Sequence, residues 1–146
     1  MRVERSIVVA RPHEEVFAFV ANLENLTAWQ PEVVEVRVEG PLEAGARYTE
    51  VRTFLGKRFE STLEVTALEP PTAFALRVVK GPIPISVRHT FEPDGTGTRI
   101  RIHGEGDESR LRGFTAALVG HLAARRVEAD LARLKAVLER DDLPEP

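Results

Sequence analysis

The chain has 146 residues, 20 Lys and Arg against 23 Asp and Glu for a formal net charge of −3, 42% hydrophobic residues and no cysteine. A domain of roughly this size buries about 68–70% of its unfolded surface and needs no covalent staple. The lack of cysteine excludes disulfides, thiolate zinc sites, iron–sulfur clusters and a thiol nucleophile. The near balance of charge argues against nucleic acid as the main partner, and no apolar run approaches the ~20 residues of a membrane span. The opening Met1-Arg2-Val3-Glu4-Arg5-Ser6 mixes charges and lacks a signal-type apolar core, so the expectation is a soluble, cytoplasmic protein. A single domain over 1–140 with a frayed tail over 141–146 is expected.

Val3 to Val9 is rich in β-branched residues and predicts a strand. Ala10-Arg11-Pro12 opens a helix, with Pro12 in its first turn, Glu14 and Glu15 where the helix dipole favours acids, and Asn22 as its end. A short helix over about Leu23 to Ala28 leads to Trp29-Gln30-Pro31. Strands follow over Val33–Val38, Ala46–Leu55, Arg58–Leu68, Ala73–Lys80, Ile85–Glu92 and Thr96–His103. They are separated by the turn at Pro41–Gly45, Gly56-Lys57, Pro70-Pro71, Gly81–Pro84 and Asp94-Gly95. From about Glu108 to Arg140 the pattern is helical. Val127, Leu131, Leu134 and Leu138 form one stripe, whereas Gly113 to Ala124 is apolar or small all round and requires cover beyond the sheet: a loop, a partner subunit or a ligand.

Hairpin register assigns faces, because directly paired residues share a face. A two-residue turn at Gly56-Lys57 pairs Phe54 with Phe59, Arg52 with Ser61, Glu50 with Leu63 and Tyr48 with Val65, and makes that set the interior. A turn at Asp94-Gly95 pairs Phe91 with Thr98, His89 with Ile100 and Val87 with Ile102, again interior. Phe74, Leu76 and Val78 also point in. The outer face carries Arg77, Arg88, Arg99 and Arg101, a basic patch without aromatics for base stacking. The interior thus holds Tyr48, Glu50, Arg52, Ser61 and His89, groups that are costly to bury unless paired or hydrated. A one-residue slip of the pairing exchanges the two faces.

Arg52, Tyr48, His89 and Glu50 are the candidate catalytic residues. An Arg or Tyr donor stabilises a developing oxyanion in a dry site, and His or Glu moves protons. The competing account is a structural Arg52–Glu50 contact and a satisfied core histidine. Ser61 lacks the Gly-x-Ser-x-Gly setting of a nucleophile. His13, His89, His103 and His121 show no ligand spacing, and Glu105, Asp107 and Glu108 are expected to cap the long helix, so neither a metal nor a cofactor is expected. Gly95-Thr96-Gly97 and Gly104-Glu105-Gly106 are not phosphate loops. Arg110, Arg112, Arg125, Arg126 and Arg133 suit a solvated helix face, and Trp29 suits core packing.

The segments Arg11-Pro12-His13-Glu14-Glu15-Val16-Phe17-Ala18-Phe19-Val20 and Asn25-Leu26-Thr27-Ala28-Trp29-Gln30-Pro31, together with Glu39-Gly40-Pro41, Gly45, Phe91–Arg99 and Leu131–Lys135, resemble the START-like superfamily. Within it, the chain looks most like the small bacterial polyketide cyclase/dehydrase and lipid-transport group. The resemblance spans nearly the whole chain, yet no invariant catalytic motif defines the superfamily. It implies an α+β helix-grip fold: a curved seven-stranded antiparallel sheet, in the order β-α-α-β6-α, around a long C-terminal helix, with an apolar cavity between them. The ligand-binding set it suggests is Tyr48, Arg52, Phe54, Phe59, Ser61, Leu63, Phe74, Leu76, His89, Phe91, Ile100, Phe114, Leu118 and Leu122. Binding of a small hydrophobic ligand, lipid-like or polyketide-like, is the leading expectation. The alternatives are an aromatase/cyclase or dehydratase, and a ligand-free interaction module; either a monomer or a homodimer fits.

Overall fold

The computed structural model describes residues 1–54, 56–82, 84–106 and 116–140, without the side chains of Phe54, Ala116, Ala117 and Val119. Phe114, the expected start of the long helix and the tail 141–146 lie outside the described residues. The elements are β1 (Arg2–Val9), α1 (His13–Ala21), a 3-10 turn (Leu23–Asn25), α2 (Leu26–Trp29), β2 (Val33–Val38), β3 (Arg47–Phe54), β4 (Lys57–Glu69), β5 (Ala73–Lys80), β6 (Ile85–Asp94), β7 (Gly97–Gly106) and α3 (Ala116–Leu138). The seven strands form one antiparallel sheet in the order β1-β7-β6-β5-β4-β3-β2, and this is the expected helix-grip arrangement.

Local sequence explains the helix ends. Pro12 is the N-cap of α1, in extended conformation one residue before the first helical turn rather than within it. Glu14 and Glu15 follow at the positive end of the helix dipole. Asn22 closes α1 through its N–H to the Ala18 carbonyl, and its side chain then accepts from the Glu24 N–H to start the 3-10 turn. The one short helix expected over 23–28 is therefore split in two.

Both hairpin turns fall one residue from the expected place. The first is at Gly56, pairing Phe54 with Lys57, Arg52 with Phe59, Glu50 with Ser61 and Tyr48 with Leu63. The second is Gly95-Thr96, pairing Phe91 with Ile100, His89 with Ile102 and Val87 with Gly104. Gly56 and Gly95 have φ of 78° and 61°, a backbone that only glycine adopts without strain, so each turn is built around its glycine. Moving a turn by one residue moves every pair by two, and the side-chain period is two. The partners change and the faces do not.

The core lies between the inner sheet face, α1, α2 and the second half of α3. Val65, Phe74, Phe91 and Ile100 from the sheet meet Val16 and Val20 of α1 and Leu131, Leu134 and Leu138 of α3, all essentially sealed from solvent. Phe17 packs edge-on against Phe91 at 5.4 Å between centroids. Arg11 donates to the Leu138 and Arg140 carbonyls at 2.7 Å each, which satisfies acceptors at the C-terminal end of α3 that have no intrahelical partner. Lys135 donates to the Val8 carbonyl at 3.0 Å. Toward the other end of α3, Leu118 and Leu122 are 46% and 51% exposed on the chain by itself, and residues 113–115 of the stretch expected to need cover lie outside the described residues.

The outer basic patch is neutralised in place. Arg77 pairs with Glu64, Arg88 with Glu69, Arg99 with Asp94 and Arg101 with Glu92, at 3.2 to 3.8 Å. Such exposed pairs contribute about 0–1 kcal/mol each, but they leave little net positive field for an acidic partner.

Candidate functional site

Between the inner sheet face and α3 lies a cavity of about 490 Å³, within the few-hundred-Å³ range of small-molecule sites. Its apolar walls include Leu26 and Trp29 of α2, Phe59 and Leu63 of β4, Leu76 of β5, Val87 of β6, Ile102 of β7 and Val127 of α3. Among the residues expected to hold a ligand, Arg52, Phe59, Ser61, Leu63, Leu76, His89 and Leu122 line it, and Glu50 lines it as well. Tyr48, Phe74, Phe91 and Ile100 point to the same sheet face but are packed into the core, away from the cavity wall. Leu118 sits on α3 outside it. Phe114 and the side chain of Phe54 lie outside the described residues.

The polar residues gather around Arg52. Its Nε donates to Glu50 Oε1 at 2.9 Å, its Nη2 donates to Gln30 Oε1 at 2.8 Å, and Nη1 stands 3.6 Å from Glu32 Oε2. Glu32 also pairs with Arg126 of α3. Across the cavity from the sheet, Asp130 is buried on α3, one turn beyond Arg126. Burial pushes the Asp130 carboxyl up to about 6, against the pull of Arg52, Arg126 and Arg133. The cluster joins β3, the α2–β2 connection and α3, and it includes both acids and bases. The expected Arg52–Glu50 contact forms, but as part of a wider network at the cavity.

His89 is the polar group inside the apolar part. It is 4% exposed, with Phe74 stacked on one side at 5.5 Å and Trp29 edge-on at 6.5 Å. Its Nδ1 lies 3.1 Å from the Phe74 carbonyl oxygen. A carbonyl only accepts, so Nδ1 carries the proton and Nε2 has the lone pair. Burial lowers the imidazole to about 4, with the Phe74 bond opposing, so the ring is neutral near pH 7.

Tyr48 takes no part in the site. Its hydroxyl is buried without a hydrogen-bond partner among the described residues, and burial first, then the charge of Glu50, holds the phenol above its ordinary range. Trp29 is both core and wall, as its indole faces two ways: it is 1% exposed and it lines the cavity. Its Nε1–H has no hydrogen-bond partner among the described residues. Among those residues there is also no cluster of three or more His, Asp or Glu that could hold a metal ion, and no helix is long and apolar enough to cross a membrane.

Sequence reasoning missed Gln30, Glu32, Arg126 and Asp130. Arg126 was expected on a solvated face, and it instead reaches the cavity to meet Glu32. Asp130 did leave a signal: it is three residues after Val127 and four before Leu134, so it stands as a carboxylate within the apolar stripe of α3.

A family model described as polyketide cyclase / dehydrase and lipid transport matches residues 1–139. No curated protein matches the chain. Among solved structures, TTHA0849 from Thermus thermophilus is similar with a TM-score of 0.78 at 22% identity, over 93% of this chain and 95% of that one. A START superfamily protein from Mycobacterium smegmatis gives 0.79 at 16% identity, over 92% and 94%. The Zhui aromatase/cyclase from Streptomyces sp. R1128 gives 0.78 at 17% identity, over 96% and 94%. At these identities the likeness is one of fold.

Proposed function

The chain belongs to the polyketide cyclase/dehydrase and lipid transport family, and we propose that it binds a small, largely apolar ligand bearing an oxygen function, with the body against the apolar walls and the oxygen toward Arg52. The observation that supports this reading is the composition of the cavity: apolar side chains from several elements, and one charged cluster at one side. Guanidinium donors held by Glu50 and Gln30 are already oriented, so a keto or carboxylate oxygen meets them at little reorganisation cost.

The test is native mass spectrometry followed by denaturing extraction, with a titration by intrinsic fluorescence. The single tryptophan is Trp29, and it lines the cavity, so occupancy alters its emission directly. A discrete extra mass, or saturable change of Trp29 emission with a fatty acid or polycyclic aromatic ketone, supports ligand binding. No bound mass and no response to either class overturns it.

A second reading, an aromatase/cyclase or dehydratase, draws on one observation: Arg52 and the neutral His89 line the same cavity. Arg52 would stabilise an enolate oxygen and His89 Nε2 would accept the proton from the carbon between two carbonyls. Tyr48 has no role in it, because its hydroxyl lies off the cavity. Arg52→Ala then abolishes turnover of a poly-β-ketone while the ligand still binds; for a carrier the same change only weakens binding.

A further inference from the structure

His89 is an anchored hydrogen-bond acceptor in otherwise apolar surroundings. Its register partners are Phe74 on β5 and Ile102 on β7, and Leu63, Leu76, Val87 and Trp29 also line the cavity. Nδ1–H is committed to the Phe74 carbonyl at 3.1 Å. That bond fixes the ring orientation and the tautomer together, and puts the lone pair on Nε2 at the tip of the side chain. Nε2 has no hydrogen-bond partner among the described residues.

Nε2 is not one of the fully buried unpartnered polar atoms, which among the described residues are Trp29 Nε1 and the Tyr48 hydroxyl, so it is open to the cavity and within reach of what fills it. Beside apolar walls a water there is poorly held, since a stable buried water needs roughly two to four polar partners, and a ligand donor displaces it at little cost. The charged cluster around Arg52 is built on β3, α2–β2 and α3, whereas His89 is on β6. The cavity therefore has two distinct polar demands: donors at Arg52, and one acceptor at His89.

We propose that His89 Nε2 accepts a hydrogen bond from a hydroxyl on the ligand, so that this cavity selects a hydroxylated ring, a phenol or its enol equivalent, over a hydrocarbon or an ether of the same shape. The inference rests on the ligand-binding reading above and narrows its ligand class. An O–H with phenolic or enolic acidity is a stronger donor than an aliphatic alcohol. The neutral state of His89 near pH 7 agrees with an acceptor role.

The test compares 2-naphthol with 2-methoxynaphthalene by isothermal titration calorimetry at pH 7. The ether keeps the ring and the oxygen and replaces the donor hydrogen with a methyl group. The expected result is binding of both, with 2-naphthol about fivefold to tenfold tighter, the range a single neutral hydrogen bond provides. His89→Phe removes the preference, and His89→Gln, which can present an amide oxygen, keeps part of it. A measurement on the unaltered protein is independent of whether these variants fold: the imidazole ¹⁵N spectrum should show the Nε2 resonance of His89 shift with 2-naphthol and not with the ether. Equal affinities, or an Nε2 resonance that 2-naphthol leaves in place, overturn the inference while leaving ligand binding intact. Failure of both probes to bind counts against the ligand-binding reading itself and takes this inference with it.

Discussion

Arg52 and Glu50 stand two residues apart on the inner face of β3, and both Nε and Nη2 of Arg52 lie 2.9 Å from the same oxygen of Glu50. Glu50 is buried, while the Arg52 side chain keeps 30% exposure and has two further partners in Gln30 and Glu32. The pair is thus unequal. Removing Arg52 strands a buried carboxylate; removing Glu50 leaves a guanidinium that is still partnered.

That asymmetry gives the first prediction. Arg52→Ala should destabilise the fold by about 1–3 kcal/mol, less than the ~3–5 of a wholly buried pair because Arg52 is partly hydrated. Glu50→Gln should cost less than this, and the double variant should recover part of the Arg52→Ala loss. Urea midpoints of the three variants decide it, and additive losses would refute the coupling.

Asp130 gives a pH dependence of known sign. Its folded-state carboxyl is raised to about 6 by burial, against an unfolded value of about 3.9. Between those values the folded state binds more protons than the unfolded state, so this group makes stability fall as pH rises from about 4 to about 6. Asp130→Asn should remove that fall and be more stable than the parent above pH 6. The check is the difference between the two urea midpoints across that window; a difference constant with pH would show the group is not raised.

Access to the cavity distinguishes two neighbouring leucines. Leu122 lines it and Leu118 does not, although both are about half exposed. Exposed substitutions generally stay within about 0.5 kcal/mol, so Leu122→Arg and Leu118→Arg should fold alike. Only Leu122→Arg should weaken binding of a cavity probe, read from Trp29 emission.

Two glycines should respond in opposite directions. A Cβ at Gly97 would overlap the Val9 carbonyl oxygen, backbone that cannot turn aside without parting β1 from β7. Gly97→Ala should therefore cost about 2 kcal/mol or more. Gly120 lies in α3, where an added Cβ would meet nothing within 4 Å among the described residues, so Gly120→Ala should stabilise by up to about 1 kcal/mol. Thermal melting of both variants tests the pair.

The candidate site was only partly legible in the sequence. The hairpin faces were, because alternation and glycine turns fix parity even when the turn is misplaced by one residue: His89 and Arg52 stay inward whether they pair with Ile100 and Ser61 or, as observed, with Ile102 and Phe59. Depth along that face was not. Tyr48, Phe91 and Ile100 share the inner face with Arg52 and His89 but end in the core. Nothing local separates a residue under α1 or the end of α3 from one beneath the cavity.

Local chemistry thus determined the strand order along the chain, the glycine-centred turns, the apolar stripe of Leu131, Leu134 and Leu138, and the inward set of each strand. These depend on periodicity and on backbone preference, which act over a few residues. Only the tertiary structure decided that Arg126 leaves a solvated face to meet Glu32, and that Gln30, Glu32 and Asp130 gather around the Arg52–Glu50 pair. Those residues come from α2–β2, β3 and α3, up to about a hundred residues apart. Their union depends on how a helix closes over a sheet, a long-range packing outcome that no short stretch of sequence encodes.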